Sequence, residues 1–132
     1  VHAGMINQYI AYRCLTGDFS EHLKRCQDIY KHKLDVMIQC LKENAPKDLT
    51  WNRPKGGLFM TITFPEGFNT YDFAFNAIDN GVAMIPGAGF YIDQDKPRNT
   101  LRVCYSTSSD EEIIQGIESL CTYAAKWLSK QQ

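Results

Sequence analysis

Arg102, within Asn99-Thr-Leu-Arg-Val-Cys-Tyr-Ser106, is the residue best placed to do chemistry in this chain. Leu101, Val103 and Tyr105 alternate to one face of a strand pattern, so the period of two sends Arg102, Cys104 and Ser106 to the other. A guanidinium held on a rigid strand suits a planar carboxylate, because its fork donates two parallel hydrogen bonds. Taken alone, the pattern more often describes an arginine that is simply solvated on an open sheet face.

Other chemistries find less support. Gly87-Ala-Gly89 lacks the third glycine of a dinucleotide fingerprint, and neither a GxxxxGKS/T phosphate loop nor a GxSxG nucleophile elbow is present. Ser106, Ser108 and Ser109 fall where turn and helix-cap residues belong. Asp110, Glu111 and Glu112 form a carboxylate cluster that helix-start chemistry explains fully. Tyr9 and Tyr12 could reach a ligand but read as packing residues. The five cysteines, at 14, 26, 40, 104 and 121, are odd in number and contain no CxxC pair. They read as the reduced thiols of a cytosolic protein, with Cys26, Cys40 and Cys121 on apolar helical positions in the core. No zinc site is expected, since His2, His22 and His32 approach no cysteine at ligand spacing.

The elements that must position Arg102 follow from periodicity and punctuation. Residues 5–16 predict a helix stopped by Gly17, and Asp18-Phe-Ser-Glu21 fits a capping box for a long helix to about Asn44. Leu23, Cys26, Tyr30, Leu34, Ile38 and Leu41 mark the expected buried stripe of that helix, with Lys24, Arg25, Lys31 and Lys33 largely off it; Pro46 ends it. Strands are predicted at 49–53 and 58–64, the second turning Phe59, Thr61 and Thr63 away from Leu58, Met60, Ile62 and Phe64. A helix starts at Asn69 or Thr70 and runs through Asp79, with Asn80-Gly81 as its left-handed exit. Val82 to Ile85 reads as a strand, 86–90 as a tight loop and 93–99 as an exposed excursion before strand 100–106. Ser109-Asp-Glu-Glu112 is a second capping box, opening a helix to about Lys130 that buries Ile113, Ile117, Leu120, Cys121, Ala124 and Leu128.

This order predicts an α/β (α+β) two-layer sandwich: a small mixed β-sheet with helices packed on one face. The other face, holding Arg102, Thr61 and Thr63, needs a partner surface or water.

Composition narrows the class. A chain of 132 residues is long enough to bury a core, and its net charge of −1 comes from intermixed acids and bases. Without a basic stripe or a polybasic patch, neither nucleic acid nor membrane is an expected partner. Apolar runs such as 58–64 are far too short to span a bilayer, and Val1 to Ile10 has neither the basic start nor the apolar centre of a signal peptide. A cytoplasmic protein is expected. The opening Val-His-Ala-Gly, without an initiator methionine, reads as an excised piece of something longer.

Three segments together resemble the C-terminal small domain of class I/II aminotransferases, fold-type I enzymes that use pyridoxal 5′-phosphate (PLP). Pro54-Lys-Gly-Gly-Leu-Phe59 resembles the family's P-x-G-G-x-F. Gly81-Val-Ala-Met-Ile-Pro-Gly-Ala-Gly-Phe90 resembles G-V-x-x-x-P-G-x-x-F, and Asn99 to Ser106 resembles N-x-x-R-L/V-x-F/Y-S/A, in the same order. The segment Ser109 to Ile117 is similar to the usual opening of the family's last helix. The branch with kynurenine, 2-aminoadipate and aromatic or branched-chain aminotransferases is the most similar subgroup.

The resemblance implies that Arg102 grips the substrate's α-carboxylate, that Gly57 lies near the substrate, and that Pro86, Gly87 and Phe90 shape the cleft mouth. It further implies residues 1–17 as a helix leading in from a large domain and 18–132 as the small domain. PLP would be held mainly by that large domain, which carries the family's S-x-x-K lysine, and a second subunit would complete the site. The parent would exchange an amino group between an amino acid and a 2-oxo acid, while this chain alone would be inert. An aminotransferase-like transcription regulator, a PLP lyase or decarboxylase, and a detached non-catalytic module remain alternatives.

Overall fold

The computed structural model describes residues 3–93 and 98–130. Most of the expected excursion over 93–99 therefore falls outside the described residues. Contacts divide the chain into two units, residues 1–32 and 33–132.

The first unit holds helix α1, Met5–Thr16, and the beginning of helix α2, Phe19–Asn44. Helix α1 buries no residue: Met5, Ile6, Tyr9, Ile10, Tyr12 and Leu15 are all exposed. Gly17 ends it, its N–H donating to the Arg13 carbonyl at 3.1 Å. The stripe expected along α2 is buried only in its second half. Leu34, Ile38 and Leu41 are buried, joined by Met37 and Cys40, but Leu23 is exposed and Cys26 and Tyr30 are half-buried. A period of 3.6 decides which side chains share a face, whereas burial also needs something to cover that face.

The second unit builds a four-stranded sheet from β1 (Thr50–Trp51), β2 (Phe59–Thr63), β3 (Ile85–Pro86) and β4 (Thr100–Cys104). The order is β1-β2-β4-β3, and every adjacent pair is antiparallel, so the sheet is not mixed. The helix between β2 and β3 makes those two strands run the same way, which suggests a parallel pairing from sequence. Strand β4 inserts between them and is antiparallel to both.

The strand expected over 82–85 shrinks to Ile85–Pro86. Val82 instead donates its N–H back to the Ala77 carbonyl at 3.2 Å, completing the exit of helix α3, Thr70–Ala77, through a 3₁₀ turn at Ile78–Asn80. Gly81 supplies the left-handed residue, at φ 77°.

Helix α4, Asp110–Leu128, opens with the predicted capping box: Ser109 N–H donates to Glu112 Oε2 at 2.7 Å, and Glu112 N–H donates to Ser109 Oγ at 3.2 Å. Its stripe Ile113, Ile117, Leu120, Cys121 and Ala124 is buried, while Leu128 is only half-buried in the last turn. The core joins these to Met60 and Ile62 of β2, Leu101 and Val103 of β4, and Phe73, Ala74 and Ala77 of α3. Register puts Met60 opposite Val103 and Ile62 opposite Leu101, so the buried face is continuous across the two central strands. The same register lines up Thr61 with Arg102 and Thr63 with Thr100 on the other face.

Candidate functional site

Arg102 stands near the middle of that second face, flanked in register by Thr61 of β2 and Ile85 of β3. Its position on β4 is fixed from both ends of the preceding segment. Phe64 N–H donates to the Asn99 carbonyl and Asn99 Nδ2 donates to the Phe64 carbonyl, both at 2.7 Å, locking the end of β2 to the start of β4. Thr70, fully buried at the start of α3, lies with its hydroxyl 2.6 Å from the Arg98 carbonyl and 2.8 Å from that of Thr100. The N-cap duty on α3 falls to Asn69, whose side chain accepts from the Tyr71 N–H. Beyond β4, Lys33 Nζ donates to the Ser106 carbonyl at 2.9 Å, a tie that its place off the stripe of α2 did not suggest.

The guanidinium of Arg102 is held by two aromatic rings. Its Cζ lies 4.1 Å from the centroid of Phe59 and 4.3 Å from that of Phe90. Phe59 belongs to β2 on one side of β4, and Phe90 to the turn following β3 on the other. Both contacts are in cation–π range, and such contacts take up none of the guanidinium's N–H donors. Among the described residues no acceptor is hydrogen-bonded to those donors.

Of the residues singled out from sequence, Arg102 and Phe90 come together directly. Pro86 and Gly87 support them from behind. Pro86 pairs with Leu101 in β3, and residues 87–90 form a 3₁₀ turn. A Cβ at Gly87 would sit 1.9 Å from Thr100 Oγ1 and 2.8 Å from the Thr100 carbonyl oxygen, so only glycine lets this turn lie against β4. Gly57 is not among the groups touching Arg102. It lies in the turn leading into β2 with φ +89°, a left-handed conformation natural to glycine. An added Cβ there meets nothing within 4 Å, so backbone conformation, not crowding within this chain, calls for the glycine. The buried Tyr105 anchors that turn, its hydroxyl donating to the Gly57 carbonyl at 2.9 Å and its N–H to the Leu58 carbonyl at 3.2 Å. Burial first, and then the neighbouring Cys104, push the Tyr105 hydroxyl above its ordinary pKa and keep it a donor.

Phe59 is the site residue that sequence reasoning did not single out. The signal was there in part, since Phe59 is a large apolar side chain on the open strand face, 44% exposed.

No protein-family model matches the chain. It is 33% identical over 120 residues to the 2-aminoadipate transaminase of Thermus thermophilus, covering 91% of this chain and 30% of that protein. It superposes at a TM-score of 0.87 and 32% identity on the crystal structure of the α-aminoadipate aminotransferase LysN from Thermus thermophilus, complexed with N-(5′-phosphopyridoxyl)-L-leucine, over 97% of this chain and 33% of that one. The chain matches a C-terminal fragment of the fold-type I aminotransferases. It spans about three-tenths of the length of the curated relatives it matches. The HTH-type transcriptional regulator YisV of Bacillus subtilis is also similar, 27% identical over 92% of this chain and 25% of its own length.

PLP is the cofactor of this family. Covalent attachment of PLP needs a primary amine, and its phosphate needs clustered donors. The groups touching or flanking Arg102 are two phenyl rings, a threonine and an isoleucine. That set offers a guanidinium for an anion but neither an amine nor a phosphate cradle, so it does not by itself fit the cofactor.

Proposed function

We propose that the protein containing this chain is a PLP-dependent aminotransferase, exchanging an amino group between an amino acid and a 2-oxo acid, and that Arg102 docks the substrate's α-carboxylate. The observation that carries this reading is the ring-held guanidinium on an open sheet face, in a chain with aminotransferase relatives. PLP, when bound, supplies the electron sink that makes the Cα–H bond acidic. Arg102 orients that bond by fixing the carboxylate through two parallel hydrogen bonds. Gly57 lies near the substrate, and Pro86, Gly87 and Phe90 shape the mouth of the substrate cleft. Residues 1–17 serve as the helix leading from a large domain that carries the PLP lysine, with 18–132 as the small domain. The protein works in the cytoplasm as a homodimer, and this chain without its large domain has no transaminase activity.

Replacing Arg102 with alanine in the intact enzyme is expected to raise KM and lower kcat/KM by about two orders of magnitude or more, since a charge-assisted bidentate contact is lost. Near-normal steady-state turnover by Arg102→Ala would remove the assignment.

The similarity to a helix-turn-helix regulator supports a second reading, in which this fold serves as the effector domain of an amino-acid-responsive transcription factor. Sequencing the coding DNA upstream of Val1 separates the two. A winged helix ahead of the large domain favours the regulator, and a short N-terminal arm alone favours the enzyme.

A further inference from the structure

We infer that Phe59 and Phe90 are positioning residues for carboxylate recognition, holding the Arg102 guanidinium in the plane and direction that a carboxylate requires. This rests on the reading of Arg102 as the carboxylate anchor.

An arginine side chain has several rotatable bonds, and one free on a sheet surface would sample many directions before meeting a ligand. Fixing such a side chain on binding costs conformational entropy. Here that ordering is built into the free protein. The guanidinium carbon lies 4.1 Å from one ring centroid and 4.3 Å from the other. The rings come from β2 and from the turn after β3, which lie on opposite sides of β4, so each limits swing toward its own side. Phenyl rings offer no hydrogen-bond acceptor, so they hold the cation without consuming the N–H groups that a carboxylate would take. An acidic partner would hold Arg102 as firmly but would occupy those donors and compete with the ligand.

Gly87 is part of the same device. Its missing side chain allows the 87–90 turn to lie against Thr100, two residues before Arg102 on β4, and so sets the reach of Phe90. Phe59 and Phe90 are 44% and 52% exposed, so neither is a core residue whose loss would open the hydrophobic interior.

The test is made on the intact enzyme with two unreactive probes, hydrocinnamate and its neutral amide hydrocinnamamide, with Kd measured for each by calorimetry. The ratio of the two reports recognition of the carboxylate itself, because a general disturbance of the cleft weakens both. Phe59→Leu and Phe90→Leu are each expected to reduce the preference for the carboxylate about threefold to tenfold, in line with a cation–π contact at a partly desolvated site. Phe90→Tyr is expected to keep the preference, and Gly87→Ala to behave as Phe90→Leu does. If both leucine variants retain the wild-type preference while Arg102→Ala loses it, the rings only pack, and the inference is overturned with the anchor intact. A wild-type enzyme that does not prefer the carboxylate, or an Arg102→Ala variant that still does, overturns the anchor itself.

Discussion

The two units of this chain put similar apolar content to opposite ends. In the first, described from Ala3 to His32, helix α1 carries Met5, Ile6, Tyr9, Ile10, Tyr12 and Leu15 and buries none of them. In the second, the same residue types close a core in which Phe73, Leu41, Ile62 and Leu101 are fully buried. The contrast runs along a single helix, since α2 is exposed at Leu23 and buried at Leu34, Ile38 and Leu41. Local sequence makes a helix in either case; stability comes from what the helix covers.

The largest expected effect sharpens that contrast directly. Phe73→Ala, in the centre of the second unit, is expected to cost about 3–5 kcal/mol in urea unfolding, through lost burial and the cavity left behind. Leu15→Ala, at a residue 67% exposed, is expected to stay within about 0.5 kcal/mol. Equal losses at the two positions would show that the first unit has a core of its own.

A smaller effect separates the units by pH. Burial, and then the neighbouring Cys40, push the Cys121 thiol from 9.0 up to about 11. Below pH 9 the folded and unfolded chains both keep this proton, so stability does not change. Between pH 9 and 11 only the unfolded chain gives it up, and stability falls, by on the order of 2 kcal/mol. Denaturation midpoints across this window are expected to slope less steeply in Cys121→Ala. An unchanged slope would mean that the thiol is already hydrated in the folded state.

The smallest effect concerns a device legible in the sequence alone. Ser109→Ala removes the hydroxyl that accepts from Glu112 and is expected to cost about 1 kcal/mol by urea unfolding. No change would mean that the start of α4 is held by its buried stripe and not by its cap.

How much was legible can be followed residue by residue. The alternation of 58–64 and 100–106 correctly sends Met60, Ile62, Leu101 and Val103 inward and Arg102 to the other face, because strand geometry needs only near neighbours. The Ser109 cap and the Gly81 exit are visible for the same reason: each is a bond pattern closed within three or four residues. The expected strand Val82–Ile85 forms only at its end, because nothing local reveals that Val82 donates back to Ala77. The all-antiparallel sheet is not legible locally because strand order is a long-range choice, and β4, late in the chain, takes the place between β2 and β3.

The candidate site divides in the same way. Sequence by itself determined that residue 102 is an arginine on the outward face of a strand, that left-handed backbone would fall at Gly81, and that the last helix starts at Ser109. Only the tertiary structure decided that Phe59 and Phe90, 43 and 12 residues from Arg102 in sequence, would meet its guanidinium from two different strands' sides. It also decided that Gly87 must be glycine because Thr100 fills the space a Cβ would need. Periodicity and caps are set by torsions and hydrogen bonds over a few residues, whereas register and ring contacts depend on which distant segments pack side by side.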